Sequence, residues 1–287
     1  MFESIAQDIP YQKIQYKNIQ ITIKRLDLIH PQISGNKFFK LKYNFLEAQR
    51  LGLNTIVTFG GAYSNHIAAT AYAAYLFGFK SVGIIRGEEL ADKPLNPTLE
   101  TAKKMGMAFK YVSREKYKIK NQPDIQQQWL NEFPNAYIIP EGGTNQLAIQ
   151  ACKEILTNED KKQFDLICCS VGTGGTISGL IESSSDHQKI LGFSALKGDF
   201  LNHDIAQWTS KKNWQITDDY CCGGYAKTSN ALFEFIKKFE EQYQVPLEQV
   251  YTAKMMMGLF DLIDQNTFPK QTQILVIHTG GLQGKMH

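Results

Sequence analysis

The sequence predicts an α/β protein built on parallel sheets with helices on both faces. Three observations lead there. Short strand-like runs alternate with helical runs along all 287 residues, and strands joined through helices pair in parallel. Four of the strand-like runs end in glycine pairs, Gly60-Gly61, Gly142-Gly143, Gly174-Gly175 and Gly280-Gly281. Ligands of such sheets sit beyond the C-terminal ends of the strands. The third observation is the stretch 164–182, where an apolar run enters the turn Gly172-Thr173-Gly174-Gly175-Thr176 and leaves it as a helix with Ile177, Leu180 and Ile181 on one face.

Taken in order, residues 19–28 alternate as a strand, with Ile19, Ile21 and Ile23 on one side. A loop through Ser34-Gly35-Asn36-Lys37 leads to a helix over 38–51, whose Phe38, Leu41, Phe45 and Leu46 share a face. Residues 55–59 form a strand, and Ser64 or Asn65 caps the alanine-rich helix 67–77. Residues 80–86 and 108–112 read as strands, 100–105 as a helix and 117–123 as a polar loop. Strand 136–139 ends in Glu141-Gly142-Gly143-Thr144-Asn145 before a helix over 147–155. After the glycine-turn unit come strand 189–193, helices 231–243 and 253–263, and a last strand, 273–277, ending in His278-Thr279-Gly280-Gly281. Phe233, Phe235 and Phe239 are expected to face the core, and Met255, Met256 and Met257 to pack in it or at an interface.

Composition excludes several classes. Hydrophobic residues make up 43% and charged residues 21%, as in ordinary globular proteins. A net charge of +3, without basic runs interleaved with aromatics, gives no footprint for nucleic acid. The lysines from Lys116 to Lys120 read as a solvated face. The longest apolar run, 67–79, falls short of the ~20 residues a membrane span requires, and the N-terminus lacks a signal pattern. The five cysteines, one single and two adjacent pairs, fit neither zinc nor disulfide spacing, so free thiols in a reducing cytoplasm are expected. His30, His203 and His287 are isolated and show no ligand spacing, and His66 is expected to pack or cap beside Asn65.

The glycine turn suits a phosphate. Glycines let backbone N–H groups converge, and the helix start adds unpaired donors and a positive dipole end. It is not a nucleotide P-loop, because Gly175 is followed by Thr176-Ile177 rather than Lys-Ser/Thr. A dinucleotide turn would place a third glycine where Ile177 stands. What remains is a cradle for one phosphate monoester. Lys37, before an apolar helix, sits where the helix dipole lowers an amine's pKa, which suits a nucleophile. A phosphate cradle with a nucleophilic lysine points to pyridoxal phosphate. Thr279 and Thr252, each just after a strand-like run, are the candidate partners for its ring nitrogen.

At this point the chain resembles the 1-aminocyclopropane-1-carboxylate deaminase / D-cysteine desulfhydrase family, of the tryptophan synthase β fold. Five motifs in order carry the resemblance over nearly the whole chain: Gly35-Asn36-Lys37-Phe38-Phe39-Lys40-Leu41, Gly60-Gly61-Ala62-Tyr63-Ser64-Asn65-His66, Pro140-Glu141-Gly142-Gly143-Thr144-Asn145, Gly172-Thr173-Gly174-Gly175-Thr176 and His278-Thr279-Gly280-Gly281. The resemblance implies a two-domain, fold type II enzyme that depends on pyridoxal 5'-phosphate. Its large domain would be 1–49 with 141–287, and its smaller inserted domain 50–140, with the cofactor between them. It implies that Lys37 is the Schiff-base lysine and moves the α-proton, and that Ser64 and Asn65 hold the substrate carboxylate and face the cofactor. By the same resemblance Gly172, Thr173, Gly174, Gly175 and Thr176 hold the phosphate, and Tyr225 and Tyr251 line the substrate pocket. A homodimer, a small amino-acid substrate and a lyase or hydrolase class follow from the family as well.

Several positions depart from the family. Members that open the cyclopropane ring carry Glu after the second tyrosine and Leu in the final His-x-Gly-Gly, where this chain has Thr252 and Thr279. Ala226 stands where glycine is usual, and Phe38-Phe39 replaces a more polar stretch. Hydroxyls at 252 and 279 resemble the D-cysteine desulfhydrase side. A ring nitrogen without a carboxylate partner leaves a weaker electron sink, suited to losing a good leaving group such as thiolate. The expected reaction is therefore α,β-elimination from D-cysteine to pyruvate, ammonia and sulfide. The alternatives are ring opening, a D-serine-type deaminase and a catalytically silent cofactor-binding protein.

Overall fold

A computed structural model describes residues 1–285. Its ten strands form two sheets. The chain starts with a hairpin, β1 (Tyr11–Tyr16) and β2 (Ile19–Lys24), followed by α1 (Asn36–Arg50). It then builds β3 (Thr55–Gly60), α2 (Asn65–Phe77), β4 (Lys80–Arg86), α3 (Pro97–Lys104), β5 (Ala108–Val112), α4 (Arg114–Lys118), α5 (Pro123–Glu132) and β6 (Ala136–Ile139). Next come α6 (Gln146–Cys152), α7 (Asn158–Gln163), β7 (Leu166–Val171), α8 (Gly175–Ser183), β8 (Lys189–Ser194), α9 (Phe200–Ala206) and β9 (Trp214–Thr217). The last elements are α10 (Asn230–Tyr243), α11 (Thr252–Asp264) and β10 (Ile274–Ile277).

One sheet has the order β1-β2-β10-β7-β8-β9 and the other β5-β4-β3-β6. Every pairing is parallel except β1 with β2. The four-stranded sheet is thus built wholly from β3 to β6, and the six-stranded sheet takes strands from both sides of it in sequence. Strands β7 and β10 are buried along their whole length, as expected of strands covered on both faces. The largest apolar cluster joins Phe2, Phe38, Phe45, Leu180 and Ile277, so Phe38 and Phe39 serve as core residues.

Several local readings change. The polar loop expected over 117–123 is narrower, a turn at 119–122 between α4, capped by Ser113, and α5, which has a proline in its first turn. Tyr117 is buried there. Lys120 leaves the solvated face to pair with Glu141 at 2.9 Å. Phe239 lies in the core, but Phe233 turns outward. Met255 and Met256 are core residues. Strands β1 and β9 were not expected, because their mixed polar sequences carry no continuous apolar face. Lys37 stands inside the first turn of α1 rather than on a loop before it. Cys152, Cys168, Cys169 and Cys221 are buried free thiols, and Cys222 is partly exposed. His287 lies outside the described residues. No helix among the described residues is long and apolar enough to cross a membrane.

Candidate active site

The carboxyl ends of both sheets open onto one cleft of about 730 Å³. The loops after β3, β4 and β6 form one wall, and those after β7, β8 and β10 form the other. Parallel strands place all their C-terminal loops on one edge, and the glycine pairs let those loops approach closely. At Gly35 the approach is extreme: its φ is 65°, and a Cβ there would stand 1.9 Å from the Thr279 carbonyl oxygen.

The turn after β7 starts α8. Gly174 takes a left-handed conformation at the N-cap. A Cβ on Gly175 would meet the Thr144 hydroxyl at 2.7 Å, so glycine is required to seat the turn against the loop after β6. Lys40 Nζ donates to Thr144 Oγ1 at 2.8 Å and to Thr173 Oγ1 at 3.1 Å. Asn36 Nδ2 donates to Thr176 Oγ1 at 3.0 Å, and Lys37 Nζ donates to Asn36 Oδ1 at 3.0 Å. One hydrogen-bonded chain therefore ties the candidate nucleophile to the glycine turn. Burial strips water from the Lys37 ammonium and lowers its pKa to about 8. That loss of hydration outweighs the helix-end argument made from sequence. Lys40 falls to about 7, through burial first and the charge of Lys37 second.

On the opposite wall, Ser64 caps α2 by accepting from the Ile67 amide at 3.3 Å. The unpaired first-turn amides of a helix suit a carboxylate. Asn65 Oδ1 is buried without a hydrogen-bond partner. His66 is buried, and its Nε2 lies 2.7 Å from Thr58 Oγ1, which itself donates to the Ile139 carbonyl. Burial and the two nearby lysines push the His66 pKa far down, so the ring is neutral. The Tyr225 and Tyr251 rings meet edge to face at 6.2 Å, and Tyr251 backs Gly172, whose Cβ would lie 3.1 Å from its ring. Ala226 has φ 56°, the left-handed conformation that the usual glycine adopts freely.

The two candidate threonines part company. Thr279 lies in the cleft wall with Oγ1 2.8 Å from Ser170 Oγ. Thr252 does not reach the cleft: it is fully buried, and its hydroxyl accepts from the Glu248 amide at 2.9 Å. The other expected site residues, Lys37, Ser64, Asn65, Gly172, Thr173, Gly174, Gly175, Thr176, Tyr225 and Tyr251, all line it.

Sequence reasoning gave no role to Asn36, Lys40, Arg86 or Glu248, all of which line the cleft. Lys40 was within reach, since it lies one turn after Lys37 on the same helical face. Arg86 ends a strand, where such sheets bind ligands. Glu248 is a buried carboxylate, but its oxygens accept from the amides of Val250, Tyr251 and Thr252, each at 2.7 Å. It caps α11 and is not an open counter-ion.

The donor set fits pyridoxal phosphate. Thr173, Thr176, Lys40 and the amides of the α8 N-terminus would hold the phosphate, Lys37 the aldehyde carbon, and Thr279 the ring nitrogen. Asn65 Oδ1, orphaned in the protein alone, offers an acceptor on the opposite wall. Such donors, set around a turn whose Gly175 leaves no room for a Cβ, match the cofactor's charges in kind and order.

Comparison with known proteins agrees. Residues 8–280 match the family model described as pyridoxal-phosphate dependent enzyme. A putative 1-aminocyclopropane-1-carboxylate deaminase of Thermotoga maritima is 32% identical over 92% of this chain and 89% of its own. The mitochondrial bifunctional D-cysteine desulfhydrase/1-aminocyclopropane-1-carboxylate deaminase of Arabidopsis thaliana is 30% identical over 92% of this chain and 73% of its own. A solved structure of an ACC deaminase homologue superposes with a TM-score of 0.84 at 25% identity, covering 98% of this chain and 91% of that one. The tryptophan synthase β-like, fold type II architecture is therefore the one present. Because the match to the family model runs through all ten strands and the phosphate turn, the chain belongs to the pyridoxal-phosphate dependent enzyme family.

Proposed function

We propose that the protein eliminates thiolate from D-cysteine, giving pyruvate, ammonia and sulfide. The observation that carries this reading is the hydroxyl pair Thr279–Ser170 on the cleft wall, with Glu248, a carboxylate lining the same cleft, tied to backbone amides. When bound, pyridoxal phosphate supplies an aldehyde that captures the substrate amine and a ring that spreads the electron pair left on the α-carbon. A hydroxyl at the ring nitrogen leaves that ring neutral and the sink weak. That suffices where a thiolate leaves, and serves the opening of a carbon ring less well.

The chain's own residues then have these roles. The α2 N-terminus with Ser64 binds the substrate carboxylate and fixes the α-carbon. Lys37 Nζ, with its lowered pKa, takes the α-proton. The Cβ–S bond breaks with its electron pair on sulfur, beside Tyr225 and Tyr251. The released 2-aminoacrylate is hydrolysed to pyruvate and ammonia. Water enters only at that last step, so this is lyase chemistry, and the hydrolase class does not fit it.

The second reading is ring opening of 1-aminocyclopropane-1-carboxylate, favoured by the names of the relatives. The test is the ratio of kcat/KM for D-cysteine to that for the cyclopropane substrate, in the parent and in Thr279→Leu. This reading expects a ratio well above one that falls in the variant. A ratio below one in the parent overturns it. A division into 1–49 with 141–287 and 50–140, a homodimer and a cytoplasmic location belong to the same proposal. Sedimentation at micromolar concentration tests the dimer.

A further inference from the structure

Arg86 closes β4 on the wall opposite the phosphate turn. Its guanidinium lies over the Tyr117 ring, 5.7 Å from the centroid. One of its nitrogens is 3.6 Å from where a Cβ on Gly61 would stand, at the head of the loop leading to Ser64. Arg86 therefore stands between Tyr117 and the head of the carboxylate-binding loop, on the cleft wall.

The other charges of the cleft are all answered. Lys37 donates to Asn36, and Lys40 donates to Thr144 and Thr173. Glu141 pairs with Lys120 at 2.9 Å, and Glu248 accepts three amides. Among the described residues of the cleft, Arg86 is the one charged side chain with neither an ion pair nor a hydrogen bond. The phosphate and the substrate carboxylate already have receptors in the turn and at the α2 N-terminus. An arginine fork pairs best with a planar or tetrahedral oxyanion. Stacking on Tyr117 alone does not require the cleft-facing position.

We propose that Arg86 is a specificity-determining residue that reads an acidic oxyanion carried by the substrate's β-substituent. The preferred substrate would then be a cysteine-type amino acid whose sulfur bears a carboxylate, sulfonate or phosphate group. This rests on the elimination reading: the α-C–H bond gives its proton to Lys37, the Cβ–S bond gives its electron pair to sulfur, and the anionic thiolate leaves with Arg86 as its partner.

The test uses two isosteres, S-carboxymethylcysteine and S-carbamoylmethylcysteine, in both enantiomers, against the cofactor-loaded enzyme. Binding is measured by calorimetry and turnover by pyruvate release. The expected result is binding of the carboxymethyl compound at least roughly tenfold tighter than its uncharged isostere. Arg86→Met should erase that preference by weakening the carboxymethyl compound alone, and Arg86→Lys should keep part of it. Equal binding of the isosteres by the parent overturns the proposal. So does a parallel loss for both in Arg86→Met, which is what a purely structural arginine gives. An Arg86-dependent binding preference without pyruvate from any compound would overturn the elimination reading and keep the assignment of Arg86.

Discussion

Replacing Gly35 with alanine tests how the cleft is assembled. Gly35 caps α1 with φ 65° and ψ −144°, and the amide after it, that of Asn36, donates to the Thr279 carbonyl at 3.1 Å. A Cβ would stand 1.9 Å from that oxygen, 2.4 Å from its carbon and 2.7 Å from the Gly280 nitrogen. The backbone conformation costs an alanine about 1–3 kcal/mol, and relieving the clash adds about 1–3 kcal/mol. Relief must push the first turn of α1, which carries Lys37, and the Thr279 loop apart by about 1 Å, a displacement that costs on the order of 100-fold in a site needing both. Gly52→Ala is the matched control, because Gly52 has φ 68° and nothing within 4 Å of its Cβ position. It should lose only about 1 kcal/mol. The assay is an absorbance titration with pyridoxal phosphate, paired with urea unfolding of the apoprotein. Gly35→Ala should bind the cofactor about 100-fold more weakly, and Gly52→Ala should bind like the parent. Parental affinity in Gly35→Ala, with a stability loss no larger than that of Gly52→Ala, would refute the reasoning.

Other outcomes follow from the same geometry. Ala226→Gly should raise the unfolding midpoint, because it removes a left-handed alanine worth about 0.5–1 kcal/mol; an unchanged or lower midpoint would contradict the strain. Lys40→Met should weaken the phosphorylated cofactor far more than dephosphorylated pyridoxal, read by competition for Lys37. Lys24 and Asp160 form a buried ion pair at 2.6 Å, so Lys24→Met should cost about 3–5 kcal/mol by leaving the carboxylate unpaired, measured by urea denaturation. Lys37 and Lys40 have native pKa values of about 8 and about 7, below the unfolded value, so between those values and about pH 10.5 the unfolded chain holds protons that the native apoprotein has lost. Apoprotein stability should therefore climb with pH more steeply in the parent than in Lys37→Met/Lys40→Met; identical slopes would sink the assignment.

The sequence made the alternation of strands and helices legible because β3, β4, β7 and β10 are short, apolar and bounded by glycine or polar turns. It missed α5, whose Ile125 and Trp129 mark a narrow apolar stripe among Gln126, Gln127 and Gln128. It missed β1 because an edge strand needs only Ile14 buried. The phosphate turn was readable as a contiguous motif, and so was Lys37. Lys40, Asn36, Arg86 and Glu248 were not given roles, since their meaning comes from partners far away in the chain: Lys40 from Thr144 and Thr173, and Asn36 from Thr176. Thr252 shows the converse. Its neighbour Tyr251 faces the cleft, but one residue further along a helix start turns about 100° away, and the Thr252 side chain goes to Glu248 instead.

In the proposed reaction Lys37 drives thiolate loss from the D-isomer of cysteine. The direct measurement is sulfide and pyruvate released from D-cysteine by the purified, cofactor-loaded protein, with L-cysteine and Lys37→Ala as controls. The expected result is equimolar sulfide and pyruvate from D-cysteine, little from L-cysteine and none from the variant. Release from L-cysteine alone, or undiminished release by Lys37→Ala, would contradict it.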